Sequence, residues 1–194
     1  MAEELSYTGK VHPKKFSLWL LLLSIMMLFA GLTSAYIVRR GDGNWFNFQL
    51  PTIFLFSTLL ILASSATMYF AFKAIKNDNL RAGKLALLGT IVLGILFVIS
   101  QYIGWIALSS EGLYFVNPKE GDKVSASFFI AIAGVHLLHI LAGLIFVVSV
   151  YIRTLKNKIN DKNTLPIDMC NTYWHFIGLL WVYLYLFLYF APDF

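Results

Sequence analysis

Residues 125–151 read SASFFIAIAGVHLLHILAGLIFVVSVY. The run contains no Asp, Glu, Lys or Arg. At about 1.5 Å per residue, a helix of this length crosses the roughly 30 Å hydrocarbon core of a bilayer. Four further runs share the property, over 16–38, 51–72, 85–108 and 170–191. A spanning segment must satisfy its own backbone hydrogen bonds, which favours helices. The short alternating segments of a membrane barrel are not seen. The sequence therefore predicts an all-α integral membrane fold, a bundle of five transmembrane helices forming a single membrane domain over 1–194.

Composition agrees. The 194-residue chain is 59% hydrophobic and 13% charged, with mean hydropathy +0.73. Soluble domains carry about a quarter charged residues. The +5 net charge is explained by topology, with no nucleic-acid partner implied. With the N-terminus inside, the inside segments hold Lys10, Lys14, Lys15, Lys73, Lys76, Arg81, Lys84, Arg153, Lys156, Lys158 and Lys162. The outside segments hold Arg39, Arg40, Lys119 and Lys123. Basic residues collect on the cytoplasmic side, so the N-terminus is expected in the cytoplasm and the C-terminus in the periplasm. The first run exceeds the roughly 7–15 residues of a signal-peptide core and reads as a retained helix. Trp45, Phe46 and Phe48 fit an outer aromatic belt. The single cysteine, Cys170, makes neither an intramolecular disulfide nor a cysteine-ligated cluster.

The quoted run raises a chemical question, because His136 and His139 stand in an otherwise apolar helix. They could be metal ligands, parts of a proton wire, or packing and hydrogen-bonding groups. A haem would need a facing imidazole, and within the spans only His175 is available. By helix rise, His139 and His136 lie about 18 and 22 Å from the inner end of their run, and His175 about 7 Å from the inner end of its own. Two ligands of one metal need nitrogens within about 4 Å. A ligand from another subunit stays open. A di-iron site would need glutamates on facing helices, and the runs contain none. The pattern favours neutral imidazoles that hydrogen-bond between helices or to a lipid headgroup. Gly143 shares their face and suits close helix contact. Lack of intramembrane charge disfavours a stand-alone pump, channel or transporter. A small b-type haem membrane protein is the alternative from another class.

The motifs together resemble a known family. SFFIAIAGVHLLHILAG at 127–143, a basic inside loop and YWHFIGLLWVYLYLFLYF at 173–190 are similar to subunit III of haem–copper respiratory oxidases, the cytochrome c oxidase subunit III family. LFAGLTSAY at 28–36, STLLILASS at 57–65 and GILFVISQYIGW at 94–105 match its remaining helices in order. Five spans resemble the short bacterial form.

The resemblance implies a non-catalytic subunit of an aa3- or caa3-type cytochrome c oxidase in the bacterial cytoplasmic membrane, supporting subunit I in oxygen reduction and proton uptake. Haem and copper are then expected in partner subunits, with none bound by this chain and phospholipid as its ligand. Subunit I is the expected direct partner, with subunits II and IV in the complex and a respiratory supercomplex with a quinol:cytochrome c oxidoreductase beyond it. A quinol oxidase or a nitric oxide reductase accessory subunit is the neighbouring alternative. His136, His139, His175 and Arg153 are expected in inter-helix or lipid-headgroup bonds, and Gln101 in a bond across helices. Tyr173 and Trp174 are expected to anchor the inner interface. Gly31, Gly94, Gly134, Gly143 and Gly178 are expected to permit close helix contact. Two departures stand out: Ile25 and Gly104 occupy positions where the family usually carries acidic residues.

Overall fold

The computed structural model describes residues 12–41, 50–110, 122–159 and 163–190, with the side chains of residue 110 and of 122–126 left out. Lys10, Trp45, Phe46, Phe48, Lys119 and Lys162 lie outside the described residues, as does the side chain of Lys123. Five helices run Pro13–Gly41 (α1), Ile53–Lys76 (α2), Leu80–Ser110 (α3), Asp122–Leu155 (α4) and Leu165–Phe190 (α5). All five are long and apolar enough to cross a membrane, and the described residues contain no strand.

The helices overrun the apolar segments. The expected loop 73–84 shrinks to a turn at Asn77–Asn79. Asp78 takes a positive φ of 57° there, and Asn79 Oδ1 accepts the backbone N–H of Ala82 at 3.2 Å, capping α3. Lys73, Lys76, Arg81 and Lys84 thus stand on helix ends, where long side chains reach the aqueous boundary while the backbone stays helical. α5 likewise starts at Leu165, five residues before the expected 170, with Asp168 in its first turn.

α2 and α3 form an antiparallel hairpin. α4 packs on α3 and α5, and α5 packs on α2 and α4. α1 touches only α4 and α5 among the described helices. The pair α4–α5 is therefore central, flanked by the hairpin and by α1. Polar contacts to α5 help fasten α1. Lys15 Nζ meets Asp168 Oδ2 at 2.7 Å, and the hydroxyls of Thr33 and Tyr183 lie 3.1 Å apart. The ion pair is partly exposed, so screening limits it. Lys15→Ala is expected to change stability by less than about 1 kcal/mol, measured by denaturant titration in detergent. Loss of α1 packing in that variant would show the pair to be worth more.

Candidate functional site

The interior between α2, α3 and α5 is a ladder of indole and amide donors on hydroxyl acceptors. Trp174 Nε1 donates to Ser64 Oγ at 3.1 Å. Trp181 Nε1 donates to Thr58 Oγ1 at 3.1 Å. Gln101 Nε2 donates to Ser57 Oγ at 2.9 Å. Each hydroxyl passes its own proton to a carbonyl of α2: Ser64 to Ile61, Thr58 to Phe54 and Ser57 to Phe54, at 2.8–2.9 Å. The two indoles are two turns apart on α5, and Ser57 and Ser64 two turns apart on α2, so both sets face one seam. A small hydroxyl supplies an acceptor without holding the helices apart. Inter-helix bonds of this kind in membranes average about 0.6 kcal/mol. Gln101→Leu is accordingly expected to cost about 1 kcal/mol in a detergent unfolding titration, and Ser57→Ala in the same background to add little, since the two lose one shared bond.

Trp174 and Tyr173 differ from the expected interface anchors. Trp174 is fully buried and Tyr173 nearly so. The early start of α5 puts Trp174 about 14 Å along the helix axis from Leu165, and the Tyr173 hydroxyl donates to the His139 carbonyl at 3.0 Å. Nothing in the local sequence separates a belt tryptophan from a core one; the helix start decides it.

The histidines also differ from the expectation of inter-helix bonds. His136 is buried and stacks on Trp181, with ring centroids 5.2 Å apart and planes 29° apart. Phe29 and Phe97 present edge contacts at 6.1 and 6.4 Å. Neither ring nitrogen has a hydrogen-bond partner among the described residues. His139 uses Nδ1–H to donate to Val135 O at 2.8 Å, a bond within α4, and Phe29 lies against its ring at 5.9 Å. An imidazole one turn beyond a carbonyl satisfies one ring nitrogen locally, as serine and threonine hydroxyls do in these helices. His175 is part-buried on α5. Among the described residues, no three His, Cys, Asp or Glu side chains converge as metal ligands would. Cys170 is buried.

The glycines divide. A Cβ on Gly94 would lie 2.7 Å from Leu144 Cδ2 and 3.0 Å from Trp174 Cη2, and one on Gly143 2.8 Å from Ile177 Cδ1. One on Gly178 would lie 3.0 Å from Ser65 Oγ. These three permit close helix approach. Among the described residues, Gly31 has nothing within 4 Å and Gly134 nothing nearer than 3.9 Å, so neither is a packing point between the described helices. Gly83 and Gly104 are tight as well. A Cβ on Gly83 would lie 2.5 Å from Ile75 Cγ1. Gly104 is noted above only for its missing acid. Its Cβ would meet three atoms of the Phe54 ring at 2.7–3.1 Å, and that ring is wholly buried. Ile25, at the other such position, is buried on α1.

Arg153 is exposed in the last turn of α4. It lines a groove of about 600 Å³ with Ser149, Lys156, Lys158 and Asn163. A second, apolar groove of about 310 Å³ separates α1 from α5, lined by Met26, Ala30, Phe176, Leu179 and Tyr183.

Comparison with known proteins comes out uniformly. The family described as Cytochrome c oxidase subunit III matches residues 45–192. The chain is 29% identical to "Cytochrome c oxidase subunit 3" of Bacillus sp. (strain PS3), covering 95% of this chain and 88% of the relative. It is 28% identical to the protein of the same name from Thermostichus vulcanus, with 94% and 90% covered. Identity is again 28% to "Cytochrome bo(3) ubiquinol oxidase subunit 3" of Buchnera aphidicola subsp. Schizaphis graminum, with 92% and 94% covered.

Proposed function

Because the chain belongs to the cytochrome c oxidase subunit III family, we propose that it serves as the scaffold subunit of a bacterial aa3- or caa3-type cytochrome c oxidase. It is a multi-pass membrane protein of a haem–copper oxidase complex. In this reading it lies in the cytoplasmic membrane with its N-terminus inside, and residues 1–194 act as one domain. Subunit I is its direct partner, subunits II and IV complete the complex, and a quinol:cytochrome c oxidoreductase is the supercomplex neighbour. Haem and copper belong to the partners. One observation carries the reading. The buried polar groups of the described residues are Ser, Thr, Gln and His, with no carboxylate, Lys or Arg among them. Such an interior joins helices and holds no permanently charged side chain among the described residues. Arg153, with Lys156 and Lys158 beside it, holds a phospholipid phosphate at the inner surface, a charge-assisted contact of known strength.

The test is mass spectrometry of what accompanies the tagged chain from mild detergent. The expected companions are the haem-bearing subunit I and a subunit II with a copper-binding cupredoxin domain. Purification without any oxidase subunit would overturn the proposal. A second reading, subunit III of a quinol oxidase, is favoured by the similarity to the Buchnera protein. A subunit II lacking the copper domain selects it.

A further inference from the structure

The outward face of the α2–α3 hairpin carries a groove of about 680 Å³. Its polarity is graded along the helix axes. Lys73, Asn77 and Asn79 form its mouth, where α2 ends and α3 begins. Phe70 and Leu85 flank it at 61% and 72% exposure, so none of the described helices covers it. Its inner end is formed at Thr67 and Gly89. There the only atom within 4 Å of a Cβ added to Gly89 is Thr67 Cγ2, at 3.8 Å. The Thr67 and Thr90 hydroxyls meet at 2.9 Å and also bond to carbonyls of their own helices. The inner end therefore makes no polar demand on what fills it.

Charge points to the occupant. Lys73, Lys76, Arg81 and Lys84 face one acid, Asp78, between residues 70 and 90. Lys73 has no carboxylate partner among the described residues, and Lys76 lies over the Phe72 ring at 6.0 Å. Asn79 spends its carbonyl oxygen on the α3 cap, which leaves its amide N–H groups as donors. A cationic mouth with amide donors, opening at the membrane boundary onto an apolar slot, matches an anionic headgroup above an acyl chain. We propose that this groove seats one anionic phospholipid. Its phosphate lies on Lys73 and the Asn77 and Asn79 amides, and one acyl chain lies between Phe70 and Leu85 as far as Gly89. The proposal requires that α2 and α3 span the membrane; it does not require the oxidase reading.

The experiment uses the full-length chain with its accompanying subunits, delipidated and placed in nanodiscs of phosphatidylcholine containing a few per cent phosphatidylglycerol. Native mass spectrometry counts the retained lipid. Lys73→Gln is expected to weaken this seat about tenfold or more, the loss of one charge-assisted contact, read as one fewer phosphatidylglycerol per chain. Gly89→Leu fills the slot without touching the headgroup and has the same effect. Lys14→Gln, an equal charge change elsewhere on the inner surface, leaves the count unchanged. Three results would each overturn the proposal: an unchanged count in both groove variants, equal retention of phosphatidylcholine, or a photo-crosslinker at position 85 capturing a helix of a partner subunit.

Discussion

Trp181→Ala is expected to destabilise the chain by about 3–5 kcal/mol, the range for removing a large aromatic from a packed interior. Trp181 is almost wholly buried and joins four helices. It donates to Thr58 of α2, meets Phe97 of α3 edge-on at 5.3 Å, stacks on His136 of α4, and is itself part of α5. Truncation removes these contacts together and exposes His136 to a cavity. In lipid, apolar burial drives helix association weakly and packing carries more of the stability, so the cavity term dominates. Trp181→Phe separates the contributions. It keeps a ring against His136 and loses the hydrogen bond, for an expected cost near 1 kcal/mol. Unfolding titrations in mixed micelles measure both. Equal losses in the two variants would show that the bond, and not the packing, holds the helices.

The second large effect is expected at Gly104. Gly104→Glu places a carboxylate at this position and should destabilise severely. The Cβ alone would enter the space of the Phe54 ring, and overpacking of that kind costs about 1–3 kcal/mol. The carboxylate adds a desolvation cost that no cationic partner among the described residues around Phe54 offsets. Gly104→Ala isolates the first contribution. Phe54→Ala opens the space, so the double variant Phe54→Ala, Gly104→Glu should be less harmed than the sum of its parts. Strict additivity would mean that the glycine and the ring do not compete. Thus an aromatic ring from α2 occupies the space that a side chain at position 104 would need.

Much of the fold was legible from charge alone. Five uninterrupted apolar runs can only be spanning helices, and five are present. Their ends were not legible, because Lys73, Lys76, Arg81, Lys84 and Arg153 look like loop residues yet ride on helix termini. That error carried into the site. It placed Trp174 at the interface, whereas five more residues of α5 carry it into the core. The seven-residue spacing of Trp174 and Trp181 was visible, as was that of Ser57 and Ser64, but pairing them requires knowing that α2 lies against α5. The common face of His136 and His139 was readable from their spacing. Their partners were not, since a stacking indole and a carbonyl on the same helix leave no mark in the pattern. Gly104 and Phe54 are fifty residues apart, and no local rule links them.

The central claim is that this chain holds helices together for a machine whose redox centres lie in other subunits. The visible absorption spectrum of the oxidase complex, recorded before and after the chain is stripped off, tests it most directly. The expected result is that every haem band stays with the remaining subunits and the separated chain is transparent. A haem band travelling with the isolated chain would contradict the claim.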